Sequence, residues 1–272
     1  MTQVTATTIN LDAKASIDEK ISQLAKQVDS AAFNVKAIMQ LSMLGEALTL
    51  DEAYHVQDAS LARRIDRGEK QVGIKMGFTS RAKMIQMGVD DMIWGPLTDE
   101  MFIEEGGEVA FDKFIHPRVE PEIAFLLKKP LSGNVTLTEV MAAVEAVAPA
   151  LEIIDSRYNN FKFSLEDVVA DNCSSSGFTI GAWQQATDDI SNLGMVMEFD
   201  GQAVQIGSSA AILGNPYRSL AAAARVAGEA GKTLPAGSIV LAGASTAAEA
   251  LKPGVHVKLH CEKLGVAEFT VA

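Results

Sequence analysis

The chain has 272 residues, of which 48% are hydrophobic, and its formal net charge is −12. This length is sufficient for a sizeable core in one or two domains. The acidity argues against a nucleic-acid partner, because phosphate binding needs clustered Lys and Arg. An anionic small substrate is compatible with this charge if a metal ion or a local lysine offsets the negative field.

Two features of the sequence indicate the cellular compartment of the protein. Cys173 and Cys261 are the two cysteines, and they form no C-x-x-C motif, so a disulfide framework is not expected and a reducing compartment fits. The N-terminus lacks a basic-then-apolar signal pattern, and no uncharged apolar run reaches the roughly 20 residues of a membrane helix. We therefore expect a cytoplasmic protein that makes no use of a membrane.

The N-terminal part is predicted to be helical. Residues 1–14 read as a loose tail, and a helical pattern then covers roughly 16–44, with an interruption near Asn34. Thr49 and Glu52 have the spacing of a capping box, in which each side chain accepts a backbone N–H of the other residue. A second helix is therefore expected from this point to the glycine at 68.

A strand and a short helix are predicted next. The run QVGIKMGF is typical of a buried strand, and it carries Lys75. A lysine in such a strand suits proton transfer or enolate stabilisation, because burial favours its neutral form. The alternative is a lysine whose head group reaches water. Ser80 is expected to cap a short helix that stops at Gly88.

Strand-like runs dominate from about residue 108. Asp200 and Gly201 separate two of these runs and predict a hairpin turn. Two helices are expected among the strands: a capping box, TLTE, precedes VMAAVEAVA, and Asn215-Pro216 opens the other. The pattern as a whole indicates an α+β fold.

Three glutamates stand in apolar strand-like segments, where acids are unusual. Glu120 and Glu122 are two residues apart and therefore point to the same face of a strand, and Glu152 follows in a second apolar run. Like charges held this close call for a cation or protons, and three oxygen ligands favour Mg²⁺ or Mn²⁺. The alternative is a solvated face, with Glu152 paired to Arg157 or Arg118. The proline at 121 suggests an edge or bulged strand.

Other candidate groups have equally ordinary interpretations. Asp99 and Glu100 lie in a Gly/Pro-rich turn, WGPLTDEM, where Asp99 could simply cap local backbone. The polar loop 171–177 offers hydroxyl and N–H groups to a carboxylate ligand, or it is a plain turn. Cys173 has no histidine partner in the sequence and is better explained as a small buried thiol.

Three long motifs carry a resemblance to a known family. The runs GIKMGFTSRAKMIQMGVDDMIWGPLTDEM, IHPRVEPEIAF and LEIIDSRYNNFKFSLEDVVADNCSSSGF resemble the fumarylacetoacetate-hydrolase superfamily, over roughly residues 48–272. The resemblance implies a mixed β-roll with an N-terminal helical region, divided as 1–75 and 76–272 or forming one continuous globule. It assigns metal ligation to Glu120, Glu122 and Glu152. It assigns catalysis to Lys75 and Asp99, and substrate contacts to Leu97, Ser174 and Thr246.

Within that superfamily the motifs are most similar to those of decarboxylases acting on 2-oxohex-3-enedioate. The resemblance implies loss of CO₂ from the far end of this 2-oxo dicarboxylate, with Mg²⁺ or Mn²⁺ as Lewis acid. It also implies a homo-oligomer and a complex with a 2-hydroxypentadienoate hydratase. One alternative is the hydratase activity itself, since Glu100 is an acid where hydratases carry theirs. Another is a non-catalytic partner subunit, against which the full set of candidate residues argues.

Overall fold

A computed structural model describes residues 11–44, 48–81, 84–85, 88–186 and 189–272 of the chain. The helices bounded within these residues are α1 (Leu11–Phe33), α2 (Leu50–Asp66), α3 (Leu137–Ala143), α4 (Leu165–Ala170) and α5 (Pro216–Glu229). The helix expected between Ser80 and Gly88 lies partly outside the described residues. None of the described helices combines the length and hydrophobicity needed to cross a bilayer.

The strands in chain order are β1 (Gln71–Gly77), β2 (Ile93–Thr98), β3 (Glu108–Val109), β4 (Arg118–Leu127), β5 (Val144–Ile154), β6 (Ser175–Ile180), β7 (Gln184–Gln185), β8 (Gly194–Phe199), β9 (Gln202–Ser208), β10 (Ile239–Leu241), β11 (Glu249–Ala250), β12 (His256–Cys261) and β13 (Gly265–Val271). One sheet has the order β2-β1-β10-β4-β5-β6, with β11 beside β4 and β7 beside β5. The other has the order β3-β13-β12-β8-β9. Parallel pairing of β1 with β10, and of β13 with β3, makes both sheets mixed and confirms the α+β prediction.

Local sequence sets several of these boundaries as predicted. Thr49 and Glu52 form the capping box of α2, and Asn215 accepts a hydrogen bond from the N–H of Tyr217 at the start of α5. Asp200 and Gly201 adopt positive φ between β8 and β9, as a tight hairpin turn requires. These elements form because their deciding contacts lie within a few residues of each other.

Two expected boundaries are wrong. The stretch 1–14 is not loose throughout, because α1 already begins at Leu11, and extending an existing helix costs little once its core positions are packed. The helix over VMAAVEAVA ends at Ala143, and Val144 begins β5. Pairing with β4 along nearly the whole strand, together with two buried faces, overrides the helical pattern of this segment.

Pro121 does not lie in an edge strand. Its strand, β4, is flanked by β5 on one side and by β10 and β11 on the other. The residue sits in the gap between β10 and β11, where a loop replaces the neighbouring strand, so its missing N–H leaves no ladder bond unmade. From that loop, Ser245 donates its backbone N–H and its hydroxyl to the Pro121 carbonyl, at 2.9 and 3.0 Å.

The helical N-terminal part and the sheets share packed surfaces. An apolar cluster joins Ile21 and Val28 of α1 to Tyr158 and Val169 around α4. The expected boundary between residues 75 and 76 falls inside β1, which is a central strand of the larger sheet. Lys75 is therefore placed by the sheet and not by the helices.

Candidate active site

Strand register brings the three glutamates together. Glu120 lies opposite Glu152 in the β4–β5 pair, and Glu122 points to the same face two residues further along β4. Their carboxylate oxygens lie within 4.8 Å of one another. Glu120 is 6% exposed, and Glu122 and Glu152 are fully buried. We call these three residues the carboxylate cluster; they do not form a solvated face.

Burial and neighbouring charges disfavour the ionised form of Glu122. Burial raises its pKa well above the ordinary value, and the neighbouring Glu152 charge raises it further, while Lys75 opposes both effects. Its Oε2 accepts a hydrogen bond from the N–H of Gly243 at 2.7 Å. Its Oε1 is buried and accepts no hydrogen bond from any described residue. A buried carboxylate oxygen that no described residue hydrogen-bonds is suited to bind a cation.

Lys75 lies against the carboxylate cluster and is only 3% exposed. Its Nζ is 2.8 Å from Glu152 Oε2 as an ion pair and donates to the carbonyl oxygen of Cys173 at 3.3 Å. Burial by itself lowers the pKa of Lys75, but the charges of Glu152, Glu122 and Glu120 outweigh it and hold the pKa above its ordinary value. The lysine is therefore a buried cation, and its head group does not reach water.

The donor set fits a hard divalent cation. Three buried carboxylates lie within reach of one cation, and the single positive charge of Lys75 does not balance three negative charges. Ser175 donates its hydroxyl to Glu152 Oε1 at 2.8 Å and orients this carboxylate from the side away from the lysine. An all-oxygen set of this kind suits Mg²⁺ or Mn²⁺.

A strained loop brings further polar groups to the carboxylate cluster. Asn172, Cys173 and Ser174 have φ values of 52°, 50° and 60°, in the left-handed region that side chains other than glycine disfavour. The buried guanidinium of Arg157 holds this loop by donating to the carboxylate and the carbonyl oxygen of Asp171. Arg157 thus pairs with Asp171 and not with Glu152, which corrects one of the alternatives raised from the sequence.

A pocket of about 550 Å³ opens onto these residues, and we call it the Lys75 pocket. Among the candidate residues, its lining includes Lys75, Glu120, Ser174 and Thr246. The Ser174 hydroxyl is buried and has no hydrogen-bond partner within the described part of the chain. It is therefore available to a ligand, and the site roles of Ser174 and Thr246 stay predictions.

The structure places Asp99 and Leu97 elsewhere. In the β1–β2 pair Lys75 lies opposite Gly95, whereas Asp99 follows the far end of β2 on an exposed turn. There its Oδ1 accepts the N–H of the neighbouring Glu100 at 3.1 Å, the local capping raised above, and also the N–H of the distant Lys70 at 2.8 Å. Leu97 is fully buried in an apolar cluster with Met101. Of the described residues, those that line the Lys75 pocket do not include Asp99, Leu97 or Glu100.

Cys173 is a buried thiol, as expected. Its side chain is 4% exposed and donates to the carbonyl oxygen of Trp94 at 3.1 Å. Burial raises its pKa to about 12, although the nearby Lys75 charge opposes this. The thiol is therefore protonated at neutral pH and is not a nucleophile.

Three contributors to the site do not follow from the sequence reasoning. They are the Gly243 N–H, the Ser175 hydroxyl and the Arg157–Asp171 pair. Ser175, Arg157 and Asp171 lie in the run LEIIDSRYNNFKFSLEDVVADNCSSSGF quoted above, and Gly243 lies three residues before the candidate residue Thr246. The motifs identify the segments, but which atom faces which glutamate depends on tertiary contacts.

Comparisons with known proteins agree with this geometry. Residues 96–272 match the family model described as fumarylacetoacetate (FAA) hydrolase, C-terminal. A 4-oxalocrotonate decarboxylase from Pseudomonas sp is 59% identical over 92% of this chain and 98% of its own. A 2-hydroxypent-2,4-dienoate hydratase from Pseudomonas putida is 37% identical over 78% of this chain and 97% of its own.

A solved structure extends the agreement to the fold. The 4-oxalocrotonate decarboxylase from Pseudomonas putida G7, complexed with magnesium and adipate, superimposes with a TM-score of 0.91 at 40% identity. The match covers 94% of this chain and 98% of that one. The mixed β-roll expected from the motifs is thereby confirmed. This chain belongs to the fumarylacetoacetate hydrolase family.

Proposed function

We propose that this chain decarboxylates 2-oxohex-3-enedioate (4-oxalocrotonate) to 2-hydroxypenta-2,4-dienoate and CO₂, with Mg²⁺ or Mn²⁺ bound by the carboxylate cluster. The observation that carries the proposal is the buried cluster with Lys75 beside it at the wall of a pocket. The relative that is 59% identical bears the name of this activity and aligns along nearly its whole length. The enzyme is accordingly a carboxy-lyase.

The residues of the site have separate roles, which follow from their charge and position. Glu120, Glu122 and Glu152 would hold the cation, which supplies Lewis-acid polarisation of the 2-oxo acid when bound. The Ser174 hydroxyl, which hydrogen-bonds to none of the described residues, is available to the C1 carboxylate of the substrate. The almost complete burial of Lys75 and the carboxylate cluster keeps water away from the 2-oxo acid end of the substrate, where negative charge develops.

Lys75 acts on the charge that the reaction creates. Breaking the C5–C6 bond releases CO₂, and the electron pair moves through the C3–C4 double bond to the oxygen on C2. The ammonium group of Lys75 stabilises negative charge developing there and donates a proton to this oxygen, which completes the 2-hydroxy product; solvent then returns a proton to Lys75. Lys75 meets the requirement for this role because its surrounding carboxylates keep it protonated.

One assay separates this activity from its nearest alternative. The purified chain with Mg²⁺ is given 2-oxohex-3-enedioate and, separately, 2-hydroxypentadienoate. We expect CO₂ release from the first substrate, its loss on chelation, and no hydration of the second. Hydration without CO₂ release would instead assign the activity of the hydratase relatives. Inactivity towards both would favour a non-catalytic partner subunit.

We propose in addition that the enzyme works in the cytoplasm, as a homo-oligomer that binds a 2-hydroxypentadienoate hydratase. The decarboxylation product is the substrate of such a hydratase, and both cysteines are free thiols, as a reducing compartment allows. Sedimentation of the purified chain, alone and mixed with the hydratase, measures both assemblies. A single monomeric species in both experiments would reject them.

A further inference from the structure

We propose that Arg118 binds the distal carboxylate of the substrate and makes the site selective for dicarboxylates. This inference rests on the proposed function, because it assumes that the 2-oxo acid end lies at the carboxylate cluster. It concerns the opposite end of the ligand. No residue considered above accounts for recognition there.

Arg118 shares a strand face with the carboxylate cluster. It is two residues before Glu120 on β4, so both side chains project to the same side of the sheet. Both line the Lys75 pocket, with Lys75 deep inside and Arg118 exposed. Two residues of a strand span about 6.6 Å. That spacing matches the length of a six-carbon diacid whose other end lies near Glu120.

The guanidinium of Arg118 is free to bind an anion. Several other arginines of this acidic chain form ion pairs with acids, namely Arg63, Arg64, Arg67, Arg157 and Arg225. Arg118 forms no ion pair or side-chain hydrogen bond to any described residue. Its planar fork of N–H groups suits bidentate binding of a carboxylate.

An aromatic ring holds this guanidinium at the mouth of the pocket. The Cζ atom of Arg118 lies 5.1 Å from the ring centroid of Phe161, which also lines the pocket. Phe161 has φ 56°, a left-handed conformation that is costly for an aromatic residue. Stacking on the ring face leaves the N–H edge of the guanidinium open to a ligand. Phe161 is thus a positioning residue for Arg118.

The decarboxylation chemistry predicts which kinetic constant changes when the ion pair to Arg118 is lost. The distal carboxylate is the group that leaves as CO₂, so its charge fades as the C5–C6 bond breaks. An ion pair to Arg118 is therefore stronger in the bound substrate than in the transition state. Its loss should raise KM and leave kcat unchanged or higher. This pattern differs from the loss of kcat expected for Lys75.

The test compares adipate with hexanoate, which has the same length but one carboxylate, by calorimetric titration of the Mg²⁺-loaded chain. The wild type should bind adipate at least tenfold more tightly, and Arg118→Gln should remove this preference without changing hexanoate affinity. Arg118→Lys should keep part of it. Arg225→Gln, which changes the net charge equally at an ion pair outside the Lys75 pocket, should keep all of it.

Turnover of 2-oxohex-3-enedioate gives the second readout. We expect Arg118→Gln to raise KM by about tenfold to a hundredfold, the scale of a lost charge-assisted hydrogen-bond pair. Phe161→Leu should give a smaller rise. A wild type without adipate preference, a variant that retains it, or a fall in kcat at unchanged KM would overturn the role of Arg118. CO₂ release by the wild type reports on the proposed function separately.

Discussion

Glu120 and Glu152 lie directly opposite each other across the β4–β5 pair, and both are buried. Like charges facing each other across a strand pair destabilise a sheet. Lys75 forms an ion pair with Glu152 and so offsets part of this repulsion. The folded chain is therefore expected to depend on a bound cation for part of its stability.

Addition of Mg²⁺ should raise the unfolding temperature. A ligand at a hundredfold excess over its Kd stabilises the folded state by about 2.7 kcal/mol, which for a chain of this size is roughly 5 to 10 °C. Differential scanning calorimetry with Mg²⁺ and with a chelator measures the shift. The same unfolding temperature in both conditions would contradict metal binding by the carboxylate cluster.

Glu122→Gln should abolish metal-dependent activity without lowering the stability of the metal-free chain. The substitution removes a buried charge whose pKa is raised by burial and by Glu152, so the metal-free variant should be at least as stable as the metal-free wild type. It also removes a ligand, so the Mg²⁺-induced shift and metal-dependent turnover should be lost. Circular dichroism checks the fold. Full activity of the variant in the presence of a chelator would show that the metal role is wrong.

Lys75→Met should lower kcat by about a hundredfold, the usual scale for a positioned acid–base group. Methionine retains the apolar stem in its buried position while removing the ammonium group. Lys258→Met removes a half-buried cation that pairs with Glu268 on the second sheet, and it serves as the control. If both variants lost activity to the same small extent, Lys75 would have no part in the chemistry.

Gly243→Ala should damage the metal site through the backbone. A Cβ atom at this position, where φ is 101°, would lie 2.0 Å from Thr79 Oγ1, so the segment must move. The N–H that supports Glu122 would move with it. We expect a loss of several kcal/mol in unfolding free energy and weaker Mg²⁺ binding.

Gly201→Ala is the matched control for that experiment. Gly201 also has positive φ, 77°, but open space surrounds its Cβ direction. This variant should cost about 1 to 2 kcal/mol from backbone strain alone and leave Mg²⁺ affinity unchanged. Equal effects of the two substitutions on Mg²⁺ affinity would show that the Gly243 N–H does not support the metal site.

The attachment of α1 to α2 should depend on pH through Asp29. This carboxylate is 3% exposed and accepts hydrogen bonds from Arg63 at 2.8 Å and from Arg67 at 2.6 and 2.9 Å. Burial acts to raise its pKa, but the two arginines outweigh burial and lower the pKa below its ordinary value. Its stabilising contribution is therefore complete above the unfolded-state pKa, near 4, and is lost as pH falls through the lower folded-state pKa.

Asp29→Asn should consequently lower the unfolding free energy by about 2 kcal/mol at pH 7. The difference from the wild type should shrink when urea denaturation is repeated near pH 3. Asp58→Asn, which breaks a partly exposed pair with Lys232, should cost less than about 1 kcal/mol at either pH. A difference for Asp29→Asn that grew on acidification would contradict the sign of the shift.

The sequence by itself determined those features that depend on neighbouring residues. The capping boxes at Thr49 and Thr136, the hairpin turn at Asp200 and the cap at Asn215 all formed as predicted. The period of two in a strand also put Glu120 and Glu122 on one face. Each of these follows from local geometry, because the interacting groups lie within a few residues of each other.

Only the tertiary structure decided which groups meet at the pocket. The β4–β5 register placed Glu152 opposite Glu120, and the position of β1 beside β10 carried Lys75 to the cluster. On its other side β1 pairs with β2, and this pairing places Asp99 on an exposed turn beyond the end of β2. The motif resemblance had assigned Asp99 a catalytic role. Strand register and strand order depend on how much apolar surface is buried between segments that are far apart in the sequence. A local sequence pattern does not determine that burial.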